Sequence, residues 1–101
     1  MGVSINLSKD DKVLTIKISG RFDFSMHNDF RNAYKDNNLS NGVYVIDLKD
    51  TEYMDSSALG MLLLLKEYSS TNSSKIKIVH ASAEIREILD IASFDKLFLI
   101  D

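Results

Sequence analysis

The sequence predicts an α/β domain with one mixed β-sheet and helices packed on one face of it. Apolar residues alternate with polar ones in some segments and recur with helical spacing in others, in the order β-β-α-β-α-β-α-β. Strands that are joined through helices are expected to run parallel in one sheet. Several polar side chains share one face of their strands and would be costly to bury, so that face is expected to stay wet. These residues are Thr15, Lys17, Ser19, Lys75 and Lys77.

Length and composition exclude several classes of protein. A chain of 101 residues has the size of one domain, covering residues 1–101, and its 45% hydrophobic content suffices for a core. The net charge of −3 argues against a nucleic-acid surface, which needs clustered Lys and Arg. No apolar run approaches the ~20 residues that span a bilayer, and no signal peptide is recognisable, so a cytoplasmic protein without a membrane partner is expected. Without cysteine, and with only two histidines, no zinc site and no cofactor is expected.

The first half of the chain is predicted to form two strands and a helix. Residues 3–7 and residues 14–18 both alternate between apolar and polar side chains, and a short charged turn joins them, which indicates an antiparallel hairpin. Gly20 is expected to end the second strand. Ser25 is expected to cap a helix, because a serine oxygen accepts a free N–H group of the first turn. The apolar face of this helix consists of Met26, Phe30, Ala33 and Tyr34.

The second half is predicted to add three strands and two helices. Residues 43–48 are apolar on both faces, as expected of a central strand. The most apolar helix is predicted from Ala58 to about Tyr68. Residues 75–79 alternate like a strand, Ser82 is expected to cap a third helix, and residues 97–100 are expected to form a last short strand. The inward residues of the third helix are predicted to be Ile85, Ile88 and Leu89.

The segment that leads into the apolar helix carries the most information about function. Ser56 lies at or beside the N-cap of this helix, where a purely structural capping role is the ordinary interpretation of a serine. Gly60 falls in the first turns, where glycine costs roughly 0.5–1 kcal/mol relative to alanine. The position must therefore need a small residue, either for packing on the sheet or for the approach of a partner. A helix N-terminus also tolerates an added phosphate, which would bring about −1.5 to −2 charges to Ser56.

Residues 55–60 read DSSALG, which resembles the Asp-Ser-Ser-Gly-Leu-Gly signature of the bacterial anti-sigma factor antagonists, the STAS-domain proteins. Residues 20–23, GRFD, are similar to the family's Gly-x-(aromatic or aliphatic)-Asp, and residues 43–48 are similar to its central strand. The resemblance covers nearly the whole chain and implies a mixed sheet with helices on one face. The sequence departs from the family at Ala58, where glycine is usual, and at Asp101, where many relatives continue into one more helix.

The resemblance implies a phosphorylation switch without catalysis by this chain. Ser56 would be phosphorylated by an ATPase-like serine kinase that is also an anti-sigma factor, and a metal-dependent serine phosphatase would remove the phosphate. The unphosphorylated form would sequester the kinase and free a sigma factor or another client, which the phosphorylated form could not do. The residues expected to contact the partner are Asp23, Asp55, Ser57, Ala58 and Gly60.

Three other functions are compatible with the residue types. A hydrolase could use Asp23, His27 and Ser56 as a triad, although no Gly-x-Ser-x-Gly elbow surrounds the serine. A phosphoaspartate receiver could use Asp47 as acceptor, although the acidic pair after the first strand and the late lysine of receivers are missing. A STAS interaction module of the stressosome or transporter-associated type would keep the fold and never be phosphorylated. The possible Mg²⁺ ligands of a receiver are Asp50, Glu52 and Asp55.

Overall fold

Alternating segments of the sequence form the strands of one mixed sheet, and segments with helical spacing form helices. The computed structural model describes residues 2–101, and within them lie six strands, three α-helices and two short 3₁₀ helices. The strands are β1 (Gly2–Leu7), β2 (Val13–Phe22), β3 (Val43–Asp47), β4 (Thr51–Met54), β5 (Lys75–Val79) and β6 (Leu99–Ile100). The α-helices are α1 (His27–Lys35), α2 (Ser56–Thr71) and α3 (Ala83–Ile91), and the 3₁₀ helices are Phe24–Met26 and Phe94–Lys96.

The sheet has the strand order β1-β2-β3-β5-β6, with β4 paired to the end of β2. The strands β2, β3, β5 and β6 run parallel because helices or long connections join them, and β1 is antiparallel to β2. The β1–β2 turn is closed by the hydroxyl of Ser8, which accepts the N–H groups of Lys12 (3.2 Å) and Val13 (3.0 Å). The predicted hairpin and the predicted parallel strands are both confirmed.

The core lies on one face of the sheet, under all three helices. Alternate residues of β2, β3 and β5 are almost fully buried, whereas Lys17 and Lys75, on the opposite face, are exposed. The period of two therefore separates a dry face from a wetter one, as predicted. The strand residues of the core are Leu14, Ile16, Ile18, Tyr44, Ile46, Ile76 and Ile78. The helices contribute mainly Phe30, Tyr34, Leu62, Leu65, Ile85 and Leu89.

Strand β2 is longer than predicted, and this extension forms the edge that carries the candidate site. Gly20, which has a φ of +85°, does not end the strand, because β2 continues to Phe22. Gly20 pairs with Thr51 and Arg21 with Tyr53, so the register shifts at Glu52 of β4, as at a bulge. The extension pairs with β4, a strand that was not predicted. The buried hydroxyl of Thr51 stabilises this pairing by donating to the Ile18 carbonyl at 2.8 Å.

Two further element boundaries differ from the prediction. Ser25 does not cap a helix; it lies inside the first 3₁₀ helix, whose N-cap is Asp23. The last strand is shorter than residues 97–100, because the side chain of Phe98 is buried against Phe94 of the second 3₁₀ helix, with ring centroids 5.2 Å apart. The prediction that Ser82 caps the third helix is confirmed, since its hydroxyl accepts the Ile85 N–H at 3.2 Å.

At the amino ends of the parallel strands, side chains connect the loops to one another. The buried Tyr44 hydroxyl accepts from the Leu39 N–H at 3.3 Å and from the Asn72 amide at 3.0 Å. The Ser74 hydroxyl likewise accepts from the Gly42 N–H at 3.1 Å. These hydrogen bonds link the loops at this end of the sheet to one another. Within residues 2–101, no helix is both long and apolar enough to cross a bilayer.

Candidate functional site

Two aspartates that follow paired strands form the centre of the candidate site. Phe22, the last residue of β2, pairs with Met54, the last residue of β4, and Asp23 and Asp55 directly follow these strand ends. Paired strands are about 5 Å apart. Each aspartate is an N-cap. Asp23 accepts the Ser25 N–H at 3.0 Å, and Asp55 accepts the Ala58 N–H at 3.1 Å. The pairing of β2 and β4 therefore places two aspartates, which are 32 positions apart in the sequence, directly after the ends of neighbouring strands.

Asp23 is held in its ionised form. The hydroxyl of Ser25 and then its backbone N–H, followed by the Arg21 guanidinium, lower the pKa of Asp23 below its ordinary value. The Arg21 Nε atom lies 3.5 Å from the Asp23 carboxylate. The Asp23 carboxylate consequently carries its full negative charge at neutral pH. Protonation of Asp23 therefore cannot relieve its repulsion with a second negative group nearby.

Ser56 is the first residue of α2 and is exposed. In the part of the chain that the structure describes, its hydroxyl forms no hydrogen bond, and the capping function belongs to Asp55. The hydroxyl therefore does not act as a cap and is accessible to the active site of another protein. Ser57 is half-buried, and Ala58 is fully buried in the core, so the side chain of Ala58 cannot contact a partner.

Gly60 lies one helical turn after Ser56 and is exposed on the same side of α2. A β-carbon added at Gly60 would meet no atom within 4 Å. The expectation that this glycine allows close packing on the sheet is therefore wrong. The other expectation, that it allows a partner to come close, stays a prediction.

Exposed apolar side chains lie on the elements that carry these polar residues. Sequence reasoning expected Leu62 to Leu65 to be mainly buried, with any exposed part contributing to docking, and it did not single out Phe24 or Tyr53 for the site. Phe24 is 68% exposed and its ring stacks on His27, and Leu63 and Leu64 on α2 are 41% and 48% exposed. Tyr53 is exposed under the Arg21 guanidinium, whose central carbon lies 4.0 Å from the ring centroid.

The two enzymatic alternatives are not supported by the geometry. The Asp23 carboxylate contacts Ser25 and Arg21, and His27 stacks on Phe24. No hydrogen bond within residues 2–101 connects Asp23, His27 and Ser56, the three residues that a hydrolase would use. For the receiver, no group of three or more His, Asp or Glu side chains among the described residues is arranged to hold a metal ion. A receiver also has helices on both faces of its sheet, whereas this chain has them on one.

Comparisons with known proteins agree with this geometry. Residues 5–101 match the family model described as "Mlab, STAS domain". A STAS-domain-containing protein of Pseudomonas aeruginosa (strain UCBPP-PA14) is 45% identical over 100 residues, which cover 99% of each chain. The unphosphorylated form of the anti-sigma factor antagonist SpoIIAA aligns with a TM-score of 0.75 at 13% identity, covering 99% of this chain and 87% of the other. The phosphorylated form of Bacillus SpoIIAA aligns with a TM-score of 0.71 at 12% identity, covering 99% and 91%.

The structural likeness extends beyond the anti-sigma factor antagonists. A sulfate transporter family protein from Wolinella succinogenes aligns with a TM-score of 0.75 at 14% identity, covering 95% of this chain and 80% of the other. At such low identities these likenesses establish the fold, a mixed sheet with three helices, and not the activity.

Proposed function

Because this chain belongs to the STAS-domain family, whose members are in general binding domains, we propose that it is a protein-binding switch controlled by phosphorylation of Ser56. One observation carries the proposal. The exposed Ser56 hydroxyl, which forms no hydrogen bond within the described chain, directly follows one of two neighbouring acidic N-caps, Asp23 and Asp55. A site of this kind changes its charge sharply on phosphorylation without needing to unfold.

The physical basis of the switch is the charge of the phosphate. Phosphoserine adds about −1.5 to −2 charges at neutral pH. The N-terminus of α2 stabilises such a charge by about 0.3–1 kcal/mol, so the helix stays formed. A docked partner would have to cover the phosphate together with Asp23 and Asp55. A buried, badly paired charge costs roughly 2–5 kcal/mol, which corresponds to about a 30-fold to several-thousand-fold loss of affinity.

The proposed partner is an ATPase-like serine kinase that also acts as an anti-sigma factor. In its unphosphorylated form the chain sequesters this kinase, and a sigma factor or another client is released. A metal-dependent serine phosphatase restores the binding form. The partner contacts Ser56 and Ser57, the carboxylates of Asp23 and Asp55, and the open surface at Gly60. Ala58 contributes only by fixing the first turn of α2 against the core.

A second candidate is an interaction module that never cycles through phosphorylation. The likeness to a sulfate transporter family protein favours it, because that protein shares the same fold. The exposed, unbonded hydroxyl of Ser56 favours the switch. Incubation with a kinase separates the two functions, since only a switch requires a specific phosphate acceptor.

The test of the proposed function is phosphorylation in vitro. The purified chain is incubated with ATP and each ATPase-like serine kinase of its host, and the phosphate is located by mass spectrometry. We expect one phosphate on Ser56, none on Ser56→Ala, and unchanged labelling of the matched variant Ser70→Ala, whose serine is exposed on the same helix. Phosphate that persists in Ser56→Ala, or no labelling by any of these kinases, would contradict the switch.

Gly60→Ala should separate stability from binding. Alanine is the better helix former and has free space here, so we expect the free energy of unfolding to rise by about 0.5–1 kcal/mol, measured by urea denaturation. A partner that approaches the bare backbone would meet the new methyl group, so its affinity should fall in the same variant. A stabilised variant that binds the partner as well as the wild type would exclude close approach at Gly60.

A further inference from the structure

Within residues 2–101, one side of the β1 backbone has no partner strand. The strand lies at the edge of the sheet, antiparallel to β2. The Ser8 N–H donates to the Val13 carbonyl, so Ser8 and Val13 form a hydrogen-bonded pair. Along an antiparallel ladder such pairs alternate with pairs that form no hydrogen bonds to each other. Ser4 and Asn6 therefore direct their N–H and C=O groups towards β2. The outward groups belong to Val3, Ile5 and Leu7.

This edge lacks the features that usually prevent pairing with another chain. Exposed edge strands are commonly protected by lysine, proline, a bulge or a very short length. Gly2–Leu7 contains no charged residue and no proline, and all six of its residues pair with β2 without a register shift. The opposite edge strand, β6, has only two residues. Ile5 and Leu7 are also 46% and 38% exposed.

The surface beside the edge is acidic on the side of the sheet that carries α1. A groove of about 380 Å³ runs between β1 and α1, and its walls include Asp29 and Asp36. Neither carboxylate forms an ion pair with a Lys, Arg or His side chain within residues 2–101. The basic residues of the helix, Arg31 and Lys35, line a different groove, on the side of α1 that faces α2. Helix α1 thus presents negative charge to the free edge and positive charge away from it.

We propose that the β1 edge binds an extended segment of a partner protein as an added strand, with alternate apolar and basic side chains over the groove. The outward N–H and C=O groups of β1 provide the ladder. Ile5 and Leu7 provide apolar contact, and Asp29 and Asp36 attract lysine or arginine. A second copy of this chain fits poorly, because its own β1 carries no basic residue and its acidic groove would meet an identical one. The proposal does not depend on phosphorylation of Ser56.

The experiment uses a synthetic peptide with blocked ends, Thr-Lys-Thr-Val-Thr-Lys-Thr-Val, and a control with glutamate in place of lysine. When each peptide is titrated into the protein in 50 mM salt, we expect the lysine peptide to bind at least tenfold more tightly than the glutamate peptide. Asp29→Asn with Asp36→Asn should weaken it about threefold to tenfold, as expected for two exposed ion pairs. Glu84→Gln with Glu87→Gln, a matched change at two exposed positions of α3, should leave it unchanged.

Hydrogen exchange identifies the binding edge. The lysine peptide should slow exchange at the amides of Val3, Ile5 and Leu7, and should leave Ser4 and Asn6, which already donate to β2, almost unchanged. Equal affinity for both peptides, or protection confined to other strands, would refute the proposal. So would a dimer in light scattering whose β1 amides are protected without peptide, since the occupant would then be a second copy.

Discussion

Ser56→Asp is expected to bind the kinase partner at least about tenfold more weakly than Ser56→Ala. The alanine variant should bind constitutively, because it cannot be phosphorylated at this position. The substitution adds one permanent negative charge beside Asp55 and next to the strand end that carries Asp23. Asp23 stays ionised because Ser25 and Arg21 lower its pKa, so protonation of this carboxylate cannot relieve the repulsion at neutral pH. One charge that is badly paired at an interface costs about 2 kcal/mol or more, and 1.4 kcal/mol is tenfold in affinity.

Titration calorimetry with the kinase identified by the labelling experiment measures this difference. Ser70→Asp is the matched control, because it adds the same charge to an exposed position almost four turns along the same helix. We expect Ser70→Asp to bind like the wild type. Wild-type affinity in Ser56→Asp would exclude a charge-based switch, even if the kinase phosphorylates Ser56.

Phe22→Ala should lower the free energy of unfolding by about 3–5 kcal/mol. Phe22 is fully buried at the end of β2, pairs with Met54 of β4, and packs against Phe30 with ring centroids 5.3 Å apart. Its loss would open a cavity under the two strands that carry Asp23 and Asp55. The free energy of unfolding of a small domain is about 5–15 kcal/mol in total, so the substitution removes a large share of it.

Phe24→Ala is the matched control for this prediction, two residues along the chain. Its side chain is 68% exposed, so urea denaturation should show a change within about 0.5 kcal/mol. The prediction fails if both variants lose similar stability. If Phe24→Ala keeps its stability and loses affinity for the kinase, the exposed ring belongs to the docking surface.

The sequence predicted the elements whose pattern is local. Leu14, Ile16 and Ile18 alternate because only one face of β2 is buried, and that period is visible without the structure. Ser82 was recognised as a cap because its hydroxyl acts within one turn, on the N–H of Ile85. Such features depend on neighbours in the chain and need no knowledge of the sheet.

Strand β4 could not be predicted because its pairing is not local. Glu52 and Tyr53 are exposed in succession between the buried Thr51 and Met54, so the strand has no period of two. It pairs with the part of β2 that extends beyond its predicted end at Gly20. The contact between Arg21 and Tyr53 was missed for the same reason.

The sequence also could not show which leucines form the outer surface of α2. Leu63 and Leu64 are exposed, whereas Leu62 and Leu65 are fully buried, and four identical residues in a row do not reveal which pair faces the sheet. The sequence likewise could not show whether Gly60 packs on the sheet or faces a partner. Only the open space around Gly60 in the structure excludes packing on the sheet.

The polar contacts around Tyr44 lie at the opposite end of the parallel strands from Ser56. A five-residue strand such as β5 separates the two ends by about 17 Å. The loop at this far end includes Ser73, which is exposed and has a φ of +60°. A fluorophore or a fused domain attached there would leave Ser56 unobstructed, so the chain could be tethered from one end of the sheet while the surface around Ser56 stays open.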